Sequence, residues 1–324
     1  MNFPTRSLVA AALAASALCG GSAMAADSYP ARPIRLIVPF PPGGSNDIVG
    51  RVIGAKLTER LGSQVVVDNR GGAAGAIGTE IAVNSQPDGY TLLVISAAHA
   101  YGSSMRKTPF HPLKSITPIA MMGTGPTSLA VHPSVPVKSV KELIALAKAK
   151  PGQLNYATAG VGSFQHLSSE MFRAMAGINA VHIPFKGGGP AMASVIAGQA
   201  QYVIGSLVQT LPFIKNGKLK VLGTGGAKRD PVLPDVPTIA EAGVPGYEAS
   251  NWWGIVGPAG LPAGPVKRIS TEVSAVLAQE EIRKWFISQG AQAVDRGPAE
   301  FRKWIASEIV KWSRVVNDAG LKGD

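Results

Sequence analysis

Along this chain, short apolar runs rich in β-branched residues alternate with stretches of helical period, separated by Gly-rich turns. That alternation confines the chain to an α/β architecture, because strand, helix and strand in succession close into a parallel pair with a crossover. PIRLIVPF (33–40) precedes a helical pattern from Ser45 to Leu61, and QVVVDN (64–69) precedes a Gly/Ala-rich helix from about Gly75 to Asn84. The turn PDG then leads into YTLLVIS (90–96), completing a βαβαβ unit. After a Pro-rich passage the pattern restarts with SLAVH (128–132) and a helix from Ser139, where Ser139 and Glu142 have the spacing of a capping box. Strand QLNYAT (153–158), a helix from Ser163, strand AVHIPF (180–185), a helix from about Pro190, and strands QYVIG (201–205) and KVLGT form a second unit. From Gly264 on the chain reads as helix, with Val273, Val276 and Leu277, then Trp304, Ile305, Ile309, Trp312 and Val316 at helical spacing. Those tryptophans read as core.

The N-terminus is of a different kind. Arg6 precedes the apolar run SLVAAALAASALCG, and Ala23-Met24-Ala25 follows it, the pattern of a secretory signal peptide cleaved after Ala25. Leu18 stands before Cys19, where a lipoprotein signal has a small residue. Removal of residues 1–25 takes away the only cysteine, leaving no disulfide, thiolate nucleophile or cysteine-bound metal. The formal net charge of +11 falls by one with Arg6. A basic excess attracts anionic solutes, anionic membrane surface or nucleic acid. Here the lysines and arginines are scattered singly with few aromatics between them, which argues against nucleic acid. No second apolar span long enough for a bilayer occurs, so a soluble mature protein is expected in the periplasm.

Two α/β halves without a Ser/Gly linker predict a cleft between them, and ligands of open parallel sheets sit beyond the carboxyl ends of the strands. The turns there are therefore informative. After the first strand comes Pro41-Pro42-Gly43-Gly44-Ser45-Asn46-Asp47; after Thr158 comes Ala159-Gly160-Val161-Gly162-Ser163; others are Ser96-Ala97-Ala98 and Lys186-Gly187-Gly188-Gly189. A helix's first turn leaves N–H groups without intrahelical partners and carries about half a positive charge, so it favours an anion. Glycine lets a ligand approach the backbone, and serine adds a hydroxyl. Each loop taken alone also reads as a tight turn with an N-cap serine. The pairing of two such loops points to an anionic ligand. A carboxylate is expected over a phosphate, since neither turn has the lysine and spacing of a P-loop.

Enzyme signatures are poor. There is no G-x-G-x-x-G and no G-x-S-x-G, and His99, His111, His132, His166 and His182 form no H-x-x-x-H pair. His166 and Glu170 are one helical turn apart, a spacing that suits a helix-face contact better than a metal site. No metal and no cofactor are assigned.

PIRLIVPFPPGGSNDIVGRVIG, VVVDNRGGAAGAIGTEIAVNSQPDGYTLLV, LNYATAGVGSFQHLSSEMF, VHIPFKGGGPAMASVIAGQ and WWGIVGPAGLPAGPVKRI together resemble the Bug proteins, solute receptors of tripartite tricarboxylate transporters. The resemblance covers essentially the whole mature chain. It implies a type II periplasmic binding protein fold, α/β in class, whose two domains close on a ligand about a two-crossing hinge. It also implies a carboxylate-bearing solute held by backbone amides and hydroxyls, often with ordered waters, and delivery to membrane permease subunits. The first-loop motif falls on Pro42, Gly43, Gly44 and Asp47, and the second on Gly160, Gly162, Ser163 and His166. Many relatives carry aspartate where this chain has Gly205, next to Ser206, so a role for that aspartate does not transfer. With the remaining turn residues, the candidate ligand-binding set adds Ser45, Ser96, Ala98, Thr158, Ala159, Lys186, Gly187 and Ser206.

These readings place domain 1 at 27–126 and 251–324 and domain 2 at 127–250, in a monomer that receives a small carboxylic acid. A sensing subunit for a membrane signalling partner, and an enzyme using Asp47 or His166 for proton transfer, are the alternatives. For Asp47 two orientations stand open: with Ser45 as the helix cap, its carboxylate either accepts from the Gly43 or Gly44 amide or enters the cleft.

Overall fold

A computed structural model describes residues 29–105 and 107–318. The leader reading, residues 1–25, lies outside them. The first part runs β1 (Ile34–Val38), α1 (Ser45–Leu61), β2 (Val65–Asn69), a 3-10 turn (Ala73–Gly75), α2 (Ala76–Val83), β3 (Thr91–Ser96) and α3 (Ala97–Met105). There follow β4 (Ile116–Val131), α4 (Val140–Ala149), β5 (Asn155–Thr158), α5 (Phe164–Ala176), β6 (Val181–Pro184), α6 (Gly188–Ile196), β7 (Tyr202–Ser206), α7 (Leu207–Lys215) and β8 (Lys220–Thr224). The last elements are β9 (Ser250–Pro258), α8 (Ala263–Ala278), α9 (Glu280–Ser288), β10 (Gln292–Arg296) and α10 (Pro298–Asp318).

The strands order as β2-β1-β3-β9-β4-β7-β5-β6, with β10 and β8 also on β4. β1 is parallel to β2 and β3, and β5 is parallel to β6 and β7, as the βαβ pattern requires. β1 is buried almost throughout, which suits a strand covered on both faces. In α1, Val49, Ile53, Leu57 and Leu61 recur at helical spacing and are buried. They join Ile34, Leu36 and Val38 in one apolar cluster. A separate cluster in the second half sets Ala157, Val195 and Val203 against Met192.

β4 joins the halves. Its residues from Ile116 to Pro126 pair with β9, whereas Thr127 to Val131 pair with β7 and Ser128 to Val131 with β8. The change of partner falls between Pro126 and Thr127. There the Thr127 amide donates to Ala249 O at 3.0 Å, beside the return crossing into β9. Two α/β domains with two adjacent crossings between them result.

The structure corrects the sequence reading of several elements. β4 begins at Ile116 and not at SLAVH; register shifts near Pro118 and Met121 accommodate the prolines and glycines that broke the strand pattern. β9 was not read as a strand, because a run buried on both faces shows no alternation. The C-terminal stretch is not continuous helix: β10, short and half-buried, separates α9 from α10. Trp312 is core, and its indole N–H donates to Glu308 Oε2 at 2.8 Å, as does that of Trp252 on β9 at the same distance.

Candidate ligand-binding cleft

Five strand-to-helix turns meet where the two domains face each other. A cavity of about 40 Å³ lies among them. Gly44 and Ser45 bring it the start of α1, Ala98 that of α3, Ser163 and Phe164 that of α5, Gly188 that of α6, and Ser206 that of α7. The N-caps of α1, α6 and α7 have no side-chain capping bond. Their first turns thus lack a side-chain cap, in a region that five helix dipoles make positive. None of the side chains lining this cavity is charged.

Asp47 is buried and turned into its own loop. Its Oδ2 accepts from the Gly43 amide at 3.0 Å, and its Oδ1 accepts from Asn69 Nδ2 at 2.9 Å and Arg51 Nε at 2.9 Å. Gly43 has φ of +84°, which glycine adopts without strain. Burial pushes the Asp47 carboxyl up, but the bonds from Arg51, Gly43 and Asn69 outweigh it and hold the group below the usual carboxylate range.

Ser45 does not cap α1. Gly44 is the N-cap, and the Ser45 hydroxyl instead accepts from Trp253 Nε1 at 3.3 Å and Asn251 Nδ2 at 3.4 Å. β9 lies close enough to claim it. The other face of Asn251 accepts from the Ala97 amide at 3.2 Å, so one side chain ties the starts of α1 and α3 together.

Ser163 does cap α5, accepting from the His166 amide at 3.2 Å, and His166 Nδ1 accepts from the Gly162 amide at 3.3 Å. Thr158 lies behind the loop: its Oγ1 accepts from the Gly160 amide at 3.2 Å and is 2.6 Å from His182 Nε2. The His166 and His182 rings are 4.5 Å apart. Burial lowers both, and the neighbouring His166 adds to the effect on His182, which falls to about 4. Glu170 pairs with Arg173 at 2.7 Å and accepts from the Tyr156 hydroxyl, so it braces the loop from within the domain.

Of the predicted residues, Gly44, Ser45, Ser96, Ala98, Ala159, Ser163 and Ser206 line the cavity. Ala159, Gly160, Gly162 and Lys186 border an outer chamber of about 340 Å³, next to Phe40 and Phe185. Pro42, Gly43 and Gly187 belong to the rim, where the first-domain loop meets the second. A Cβ on Gly187 would lie 2.5 Å from Pro41 Cδ, and one on Gly189 2.5 Å from Pro42 O. Thr158, His166 and Asp47 support the loops from behind.

Sequence reasoning missed Phe40, Asn46, Phe164, Gln165, Gly188, Gln209 and Asn251, all of which line the cavity. Asn46 and Gly188 sat inside turns already singled out. Gln209 and Asn251 were out of reach, since α7 and β9 had not been read. Four of the lining side chains keep a buried polar atom with no partner in the protein: Asn46 Nδ2, Gln165 Oε1, Ser206 Oγ and Gln209 Nε2.

A two-domain α/β clamp around a cavity without charged lining side chains is the arrangement of a type II periplasmic solute-binding protein. The chain belongs to the tripartite tricarboxylate transporter receptor family, whose model matches residues 49–321. It is 38% identical to the protein BugT of Bordetella pertussis over 92% of this chain and 93% of that one. Among solved structures it resembles Rpa4515 of R. palustris with adipate, at 33% identity and a TM-score of 0.89 over 91% of this chain and 100% of that one. It is also similar to MatC of Rhodopseudomonas palustris with bound malate, at 32% identity and a TM-score of 0.85 over 89% and 100%. The family is one of solute receptors. No helix among the described residues is long and apolar enough to cross a membrane.

Proposed function

We propose that this chain is an exported periplasmic receptor that captures a small carboxylate in the interdomain cavity and presents it to the permease subunits of a tripartite transporter. The observation that carries the reading is the convergence of five helix N-termini, three without side-chain caps, on a cavity whose lining has no charged side chain. Such a site attracts an anion through backbone amides. Gly44, Ser96, Ser163 and Ser206 supply amides or hydroxyls to the ligand, while Pro42, Gly43 and Gly187 close the rim. Asp47, Thr158 and His166 hold the loops in shape. Adipate and malate in two solved relatives support a carboxylate.

The domain boundary in this reading falls at Pro126/Thr127 and at the start of β9, supported by the change of strand partners there. The receptor acts as a monomer, released by cleavage after Ala25. Titration calorimetry of purified protein with short mono- and dicarboxylates tests capture, and uptake of a labelled acid by cells with and without the receptor tests delivery. If no carboxylate binds at millimolar concentration, the reading fails.

A further inference from the structure

The unpartnered polar atoms of two residues that line the cavity describe a ligand more specific than an acid. Gln165, on α5, donates from Nε2 to Gln209 Oε1, on α7, at 3.0 Å. Both side chains are at least nine-tenths buried and both line the cavity. Their one mutual bond leaves Gln165 Oε1 and Gln209 Nε2 without partners. If both amides were turned over, the bond would reverse and the remainder would be the same in kind: one carbonyl oxygen and one NH2 group. A Cβ on Gly205 would sit 3.1 Å from Gln165 Nε2, and one on Gly188 2.9 Å from Gln209 Nε2, so two glycine backbones flank the pair.

We infer that this amide pair selects a monocarboxylate whose far end carries a neutral carboxamide. The inference rests on the carboxylate reading above and adds the second functional group. A carboxamide accepts from the open NH2 and donates to the open carbonyl, satisfying both. A second carboxylate only accepts, so it would leave Gln165 Oε1 facing a negative oxygen. An ammonium only donates, and neither Gly205 nor any residue lining the cavity offers a carboxylate to balance it among helix ends of the same sign. A hydroxyl donates and accepts through one atom, and so serves both groups only where they converge on a single point.

The test is calorimetric titration of the full mature chain with malonamate, succinamate and glutaramate, each compared with the diacid and the ω-amino acid of the same length. The best monoamide is expected to bind about tenfold or more tightly than both partners of its length, as a site with a paired donor and acceptor requires. In Gln209→Met and Gln165→Met, which keep length and lose polarity, that ratio should collapse towards one. The wild-type ratio decides the matter if either variant does not fold. A diacid or amino acid that binds as tightly as its monoamide, failure of every monoamide to bind, or a ratio unchanged in a folded variant overturns the inference. The two readings fail separately: binding of a diacid alone sinks the amide reading and keeps the carboxylate. Succinamide, which has no carboxylate, binding as tightly as succinamate sinks the carboxylate reading and keeps the amide pair.

Discussion

Asp47 Oδ2 and the amide of Gly43 lie 3.0 Å apart, so the carboxylate that stands at the start of α1 is spent on the loop before it. Asn69 and Arg51 hold its other oxygen, and Asp47 is not among the residues that line the cavity. Asp47→Asn should therefore weaken a monoacid and a diacid by the same factor. It should also lower the melting temperature of the ligand-free protein by roughly 2 to 6 °C, from about 1–2 kcal/mol of lost charge-assisted bonding. Differential scanning calorimetry and titration check both. A threefold change in the ratio of the two affinities would place Asp47 in contact with ligand.

Stability should fall in acid before the carboxylates protonate. His99 and His182 are held at about 4 by burial, while histidines of the unfolded chain titrate near 6.5. Between those values the unfolded state binds more protons, so the native state loses stability as pH drops from about 6.5 towards 4. Melting temperature against pH should show that slope in the wild type and a shallower one in His182→Gln. Identical slopes would remove His182 from the account.

The seam between the two domains is bare backbone at Gly189. A Cβ on Gly189 would meet Pro42 O at 2.5 Å, a contact between the two domains. Gly189→Ala should cost about tenfold or more in ligand affinity and leave the melting temperature of the ligand-free protein within about 2 °C. With ligand present, small-angle scattering should report a more open particle. Unchanged affinity would mean that the rim is not closed in the complex.

Charge on the outer chamber should matter little to binding strength. Lys186 is exposed and absent from the inner cavity, whereas Ser163 lines it and caps α5. Lys186→Ala is expected to change affinity less than threefold, its loss showing mainly in the association rate at low salt. Ser163→Ala should reduce affinity about fivefold to tenfold, on the order of 1 kcal/mol for the lost cap and hydroxyl. The reverse order of effects would put the anion on the lysine.

The turns were legible because Gly-Gly-Ser and Gly-x-Gly-Ser follow apolar strands, and each such junction has a backbone reason to be there. The α1 boundaries and the α5 cap at Ser163 match the structure for that reason. The cap expected at Ser45 does not, since a tertiary contact from Trp253 and Asn251 takes the hydroxyl, and local spacing carries no trace of a strand more than 200 residues away. The Gln165–Gln209 pair was hidden for a related reason. Gln209 lies on α7, where Pro212 interrupts the helical pattern, and its partner is set by the fold rather than by sequence distance.

The five helix ends around the cavity have a consequence for how such a receptor changes over generations. Their pull on an anion belongs to peptide groups fixed by the buried core, so replacing a lining side chain leaves it in place. If the receptor captures a carboxylate as proposed, the sign of its cargo is set by that backbone. On the same proposal its identity falls to side chains that line the cavity, Phe40, Asn46, Gln165 and Gln209 among them. Lineages descending from one ancestor are thus free to take up new acids without first rebuilding the means of attracting one.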